Sequence, residues 1–289
     1  MEMKRHGLQA GLSLVELMVA LAISSFLILG VTQIYIDNKR SYLFQQNQSE
    51  SIEGSRYILL LLQQELSKAG YRRRPDEQPE AAFPAAPDLA GCGTFSAGET
   101  VKRTAQDSVC IRYQPRDHLE RNCLGDLPAT ASLLDDGPYT SAQEIIVERL
   151  WFEKESSSES GSVKCTRVHT DLAGNPLSDR MPSTGELIAG LVDFRYEFGV
   201  GSSSDDRSIN RYTDGSTGDP ILAVRYTALM RSSNANQREA IDTDTALKKW
   251  QDLTGLASSD AKAQALKADD KGQLYHVSQS TVMLRNLMP

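Results

Sequence analysis

Glu16 is the only formal charge between Leu12 and Ile36, in a run of 25 residues that is otherwise uncharged and largely apolar. Roughly 20 such residues suffice for a helix to cross a bilayer. A carboxylate inside the span costs about 2.5–3.5 kcal/mol on insertion scales, which makes an acid at this place a functional candidate. Gly11 stands directly before the run, with Lys4, Arg5 and His6 ahead of it. A cut after this small residue makes Leu12 the new amino terminus and Glu16 the fifth residue of the chain that remains.

Other residues able to do chemistry are sparse. Cys92, Cys110, Cys123 and Cys165 are the four cysteines, and an even count in an oxidising compartment predicts two disulfides. Three pairings are open; the sequential one, Cys92–Cys110 with Cys123–Cys165, is preferred. Zinc competes poorly, because there is no Cys-x-x-Cys and the histidines are scattered. Asp205, Asp206, Asn210, Asp214 and Asp219 offer oxygens in a Ser/Gly-rich stretch, but their spacing departs from the EF-hand loop, and a solvated acidic loop is expected. His118 and His169 each read as a lone imidazole with no acid or nucleophile partner, in structural or surface roles. No Gly-x-x-x-x-Gly-Lys, His-Glu-x-x-His or Gly-x-Ser-x-Gly occurs. No catalytic, cofactor-binding or metal-ligating residue is therefore expected, and the protein is not expected to be an enzyme.

The short basic leader, Gly11, and Leu12-Ser13-Leu14-Val15-Glu16 followed by an apolar helix resemble the class III signal of type IV prepilins. The resemblance implies that an inner-membrane prepilin peptidase cuts between Gly11 and Leu12 and methylates the new terminus. Each subunit then carries an amine and the Glu16 carboxylate at nearly the same depth of an apolar core. A neighbour shifted by about one helical turn pairs the two, so that two charges that are costly alone become one satisfied pair. Removing one partner of such a pair typically costs about 3–5 kcal/mol. A secretory signal has a shorter apolar core and ends in a small-x-small site. A plain single-span anchor explains the length and the basic flank, but neither Glu16 nor Gly11.

The elements that position these residues follow from pattern. Among 289 residues, 40% are hydrophobic and 24% charged, which is a globular composition. A net charge of −7 argues against a nucleic-acid-binding surface, and no direct nucleic-acid binding is expected. From Leu12 to about Gly70 there is no proline, and one continuous helix is predicted. Its second half is amphipathic, with Ile52, Leu59, Leu62, Leu66 and Ala69 on one face behind a polar collar at 45–50. Gly30 and Gly54 are points of flexure or, at Gly30, of close helix packing. Arg72, Arg73 and Arg74 complement the helix dipole or form a small phosphate contact, the first being preferred. A Pro/Ala-rich loop to Gly91 follows. Strands are predicted at 109–113, 144–155, 162–169, 187–198, 221–230 and 274–284, with a hairpin tip at 155–161. The segments 199–219 and 232–272 read as insertions, the second with helical character at Ile241, Leu247, Trp250 and Leu253 and again at 259–267. The sum is an α+β fold, a long N-terminal helix packed on a mainly antiparallel sheet, which is the type IV pilin-like architecture the signal implies.

Four later stretches resemble PilW-type minor pilins: Leu66-Ser67-Lys68-Ala69-Gly70-Tyr71, 189–196 (AGLVDFRY), 223–231 (AVRYTALMR) and 281–286 (TVMLRN). The chain has Gln33 where major pilins commonly carry a kinking proline, which suits a minor component. The implied domains are a leader over 1–11, a membrane and fibre-core helix over 12–36, an amphipathic helix over 37–71 and an exported body over 72–289. The implied role is a minor pilin that primes assembly and sits at the tip of a type IV pilus, serving adhesion, twitching motility or DNA uptake. The alternative is a minor pseudopilin of a type II secretion system, and a more distant one is a membrane-anchored periplasmic binding protein. Implied partners are other minor pilins, the major pilin, the prepilin peptidase, the inner-membrane assembly machinery and, before assembly, the lipid bilayer. The positive-inside rule places the body in the periplasm, and the resemblance then places it on the cell surface.

Overall fold

The computed structural model describes residues 13–134, 139–154, 160–203, 208–215, 218–238 and 242–288. Contacts divide the chain into two units, one ending at Gln46 and the other running from Asn47 to Pro289. The helix α1 (Leu14–Ser67) contributes to both.

In the first unit every residue from Ser13 to Tyr42 is exposed, including Leu14 at 76% and Phe26 at 77%. No protein atom covers Gly30 within the reach of a Cβ. The serine and threonine hydroxyls in the apolar stretch are satisfied inside the helix: Ser24, Ser25 and Thr32 donate to the carbonyls of Ala20, Leu21 and Ile28 at 2.7–2.8 Å. That internal back-bonding lets polar side chains sit in an apolar medium without an external partner.

The second unit is built on one sheet whose paired strands are all antiparallel. Its strands are β1 (Val101–Ala105), β2 (Ser108–Tyr113), β3 (Ile145–Lys154), β4 (Gly161–Thr170), β5 (Ser183–Val200), β6 (Arg211–Thr213), β7 (Ile221–Arg231) and β8 (Tyr275–Met283). Their order is β1-β2-β3-β4-β5-β7-β8, with β6 paired to β5. The short helix α2 (Pro79–Ala82) lies in the proline-rich loop, and α3 (Thr243–Thr254) and α4 (Ala261–Ala268) lie between β7 and β8.

The last part of α1 lies on one face of this sheet. Ile58, Leu62, Leu66 and Ala69 are fully buried there with Leu150, Val163, Phe194 and Tyr226. The buried face differs from the predicted one: Ile52 and Leu59 are only half-buried, whereas Asn47, Ser51, Ser55 and Ile58 are buried. The cause is steric. A Cβ at Gly54 would lie 2.6 Å from the Met230 methyl, so this stretch approaches the sheet too closely for large side chains. Ser55 contacts the Met230 sulfur at 3.3 Å, and Asn47 accepts a hydrogen bond from Asn234 at 2.9 Å.

The opposite face is covered twice. The loop from Ala86 to Phe95 buries Cys110, Val147 and Val168. The helices α3 and α4 bury Val192 and Leu229 beneath Leu247, Trp250, Ala263 and Leu266. Because both faces are covered, β2 is buried at all six positions, and an alternation that predicts one buried face is only half the pattern. The Trp250 indole donates to Asp193 at 2.8 Å, and Asp193 also meets Arg195 and Lys262.

Among the described residues eight strands stand where about six were expected. β1 and β6 are short, and β6 falls inside the predicted insertion at 199–219. Leu247 and Trp250 are buried as their helical spacing suggests, Leu253 is half-buried, and Ile241 lies outside the described residues. The hairpin tip at 155–159 also lies outside them.

Arg73 overturns both readings of the arginine run. It is fully buried and its guanidinium donates to the Pro115 and Arg116 carbonyls and to Thr140, acting as an internal strut. Arg72 donates to the Glu77 carbonyl, and Arg74 pairs with Asp76. Arg112 has a similar role: its guanidinium takes the carbonyls of Pro84, Ser96 and Glu99 and stacks 4.4 Å from the Phe95 ring. The proline-rich loop is thereby wrapped around one cation.

The turn that follows α1 closes at Gly70, whose φ of 72° is the left-handed conformation that ends helices without a Cβ penalty. Its N–H donates to the Arg112 carbonyl at 2.9 Å, and a Cβ here would meet Leu287 at 2.3 Å. Gly70→Ala is therefore expected to lower unfolding stability by at least about 1 kcal/mol, since φ strain and the Leu287 clash add. Chemical denaturation of wild type and variant measures it.

Candidate functional site

The apolar helix begins with a reciprocal cap. Ser13 precedes the first helical residue and its Oγ accepts from the Val15 N–H at 3.4 Å, while Glu16 Oε2 accepts from the Ser13 N–H at 3.3 Å. This is the capping-box pattern, with the acid three residues after the hydroxyl. The carboxylate also sits in the first turn, where the helix dipole favours an anion. In the single subunit Glu16 therefore has a backbone donor of its own. Gly11 and Leu12, the predicted cleavage residues, lie outside the described residues. α1 is long and apolar enough to cross a membrane.

At the other end of α1 a buried polar joint links the helix to the sheet. Lys68 Nζ lies 2.5 Å from Glu65 Oε2 and donates to the Arg121 carbonyl at 2.7 Å. Across from it, Glu148 of β3 accepts from the Tyr113 hydroxyl at 2.8 Å and from the Cys123 N–H at 2.9 Å. Burial first and the Glu148 charge second raise the Glu65 pKa, Lys68 opposes them, and the net value is about 8. Burial likewise raises the Tyr113 hydroxyl well above its usual value, with Glu148 and Glu65 adding to it. Sequence reasoning missed this joint. The only signal was a pair of charges, Glu65 and Lys68, on the face that also carries Leu62, Leu66 and Ala69.

The cysteines are bonded as Cys92–Cys110 and Cys123–Cys165. The first ties the proline-rich loop to β2. The second ties the 114–128 loop to β4, beside the polar joint. Cys123, Cys165 and Glu148 lie close together, but both sulfurs are consumed in the disulfide and leave no thiolate for a metal.

His169 is not a lone imidazole. It is fully buried, with Nδ1 3.0 Å from Glu144 Oε2 and Nε2 3.2 Å from the Asn122 amide nitrogen. Glu144 also accepts from the Ala129 and Thr130 N–H groups at 3.2 and 3.4 Å. The sequence hid the pair because Glu144 and His169 belong to different strand ends, brought together by the β3–β4 register that sets Ile146 opposite His169. Every member faces a loop backbone or another structural side chain, and the arrangement fastens the 122–130 loop. His118 lies half-buried in the loop after β2.

The acidic loop resolves into ion pairs and hydrogen bonds. Asp219 pairs with Arg211 at 2.6 Å, Asp214 lies 3.7 Å from Arg103, and Asn210 donates to Ser202. Asp205 and Asp206 lie outside the described residues. Cations already face two of these carboxylates, which disfavours a calcium site there.

The comparisons with known proteins fall on both ends of the chain. Residues 153–286 match the family PilW, Type IV Pilus-assembly protein W. Residues 7–32 match the prokaryotic N-terminal methylation motif. No curated protein matches the chain. Among solved structures, a type IV-like pilin from Thermus thermophilus aligns at 13% identity with a TM-score of 0.40, covering 81% of this chain and 96% of that one.

The joint generates a pH prediction. A carboxyl whose native pKa is raised binds its proton more tightly folded than unfolded, so its contribution to stability is present below about pH 4.5 and is lost as pH rises towards about 8. Glu65→Gln, which keeps the neutral shape, is expected to lose at least about 1.4 kcal/mol less stability than wild type between pH 6 and pH 9, a pKa unit's worth. Urea unfolding at the two pH values measures the difference.

Proposed function

We propose that this chain, a PilW-type minor pilin by its two family matches, primes assembly of a type IV pilus and takes its place at the tip. The observation that carries the reading is the uncovered apolar half of α1 with one acid in its first turn. Fifteen large apolar side chains between Leu14 and Ile36 are exposed, far more than a soluble surface tolerates as one patch, so lipid or other helices cover them. Before assembly the span lies in the inner membrane with the body in the periplasm. The leader is removed between Gly11 and Leu12 by prepilin peptidase and the Leu12 amine is methylated.

On assembly the helices leave lipid and pack laterally against those of the major pilin and other minor pilins. Glu16 exchanges its weak hydrogen bond from Ser13 for the charged terminal amine of a neighbour, which sets the axial register. The two disulfides suit the body to an oxidising exterior. Adhesion, twitching motility and DNA uptake are the tasks such a fibre serves. The protein's own part in them is structural.

Glu16→Ala is expected to leave processing largely intact and to reduce piliation sharply, counted by electron microscopy of whole cells beside the mass of the extracted subunit. Normal piliation would sink the pairing argument. Deleting the gene is expected to reduce piliation, whereas loss of enzyme secretion with piliation unchanged would favour the pseudopilin alternative. Gly11→Leu is expected to block the cut, so that intact-mass measurement finds the whole 1–11 leader still attached.

A further inference from the structure

The two edges of the sheet are treated differently. β1 has five residues, two of them the basic Lys102 and Arg103, and its ladder with β2 is bulged between Arg103 and Ala105. Short length, edge charge and a bulge are the devices by which proteins blunt an open edge against unwanted pairing. Beside β1 the groove of about 940 Å³ is lined by further charged groups, among them Arg72, Glu77 and Glu80.

β8 has none of these devices. It runs nine residues, Tyr-His-Val-Ser-Gln-Ser-Thr-Val-Met, with no Lys, Arg, Asp, Glu, Pro or Gly. All nine pair with β7, from Tyr275 opposite Arg231 to Met283 opposite Ala223, without a register shift. Among the described residues no strand pairs with its other side. Its two titratable side chains stay neutral at neutral pH. Burial and the nearby Lys249 lower the His276 pKa from 6.5, and burial raises that of Tyr275 to about 12. An unbulged, uncharged, proline-free strand with no described strand on its outer side is a template for another strand.

We infer that β8 is a strand-pairing edge that accepts an extended, uncharged segment from another pilin-class subunit of the same assembly, adding a ninth strand. The inference rests on the assembly reading above, which supplies other membrane-anchored subunits as neighbours. The chemistry of the occupant follows from β8 itself. Main-chain hydrogen bonds give the affinity, and alternate side chains of the added strand lie beside the His276–Ser278–Ser280 row or the Val277–Gln279–Thr281 row. Neither row carries a formal charge of its own, and Lys249 near His276 further disfavours a cationic strand, so an uncharged strand loses the least hydration on pairing. A neutral one fits.

The test places a photo-crosslinking amino acid at Thr281, which is exposed at the edge, and a control at Lys102 on β1, in the full-length protein in its native membrane. The expected result is an adduct from Thr281, absent from Lys102, with a subunit that carries its own cleaved prepilin terminus, joined through an uncharged segment. The double variant Thr281→Lys, Met283→Lys, both positions exposed, is then expected to keep its thermal unfolding midpoint and to lose co-purification of that subunit. No adduct, an adduct with a second copy of this chain or with a protein outside the pilin class, or full retention of the partner by the double variant would overturn the inference. Loss of piliation in Glu16→Ala beside any of those outcomes leaves the assembly reading standing and removes only the edge.

Discussion

A helical surface with no protein cover governs this molecule. From Leu14 to Ile36 the side chains are apolar on every side of α1, so that no orientation against a sheet could bury them all. Such a segment is stable only in lipid or among similar segments, and its serine and threonine hydroxyls are satisfied within its own turns. Glu16 is the exception. Among the described residues its backbone donor is the Ser13 N–H at 3.3 Å, enough to cap a helix and too little to compensate a buried carboxylate fully. In the assembly proposed above, a terminal amine at the same depth of an adjacent helix is the better partner for this acid.

Within the second unit, the end of α1 is fastened to the sheet through a small number of buried polar contacts. Lys68 takes both Glu65 and the Arg121 carbonyl, and Glu148 takes both Tyr113 and the Cys123 amide, so the end of α1, two strands and a disulfide-tied loop meet in one place. A buried cluster of this kind contributes more to the geometry of the joint than to its stability. The close approach at Gly54 and the turn at Gly70 act in the same direction, since each works only with the smallest side chain at that position. Both sheet faces are covered, and the two edges remain, one blunted and one without a paired strand among the described residues.

How much of this was legible in the sequence divides along a physical line. Local patterns were readable: the unbroken run to Gly70 gave the helix, and β-branched and aromatic stretches gave the long strands β3, β4, β7 and β8 nearly to the residue. Their Leu247 and Trp250 counterparts in the insertion were readable by helical spacing. What depended on partners distant in the chain was not. The burial of Ser51 and Ser55 is set by Met230, the burial of Arg73 by carbonyls near Pro115, and the Glu144–His169 contact by strand register. Each looks like surface chemistry until the sheet brings its partner close. β1 and β6 escaped because strands of five and three residues carry too few alternations to stand out. For Glu16 the sequence showed the odd charge, while the Ser13 cap became visible only with the helix start fixed.

In the assembly we propose, Glu16 pairs with an amine that only cleavage between Gly11 and Leu12 creates. Tandem mass spectrometry of the amino-terminal peptide from membrane-extracted protein tests it most directly. The prediction is a peptide beginning at Leu12 and bearing one methyl group on its amine. A peptide beginning at Met1, unmodified, would leave Glu16 with no such partner at any stage and would contradict the claim.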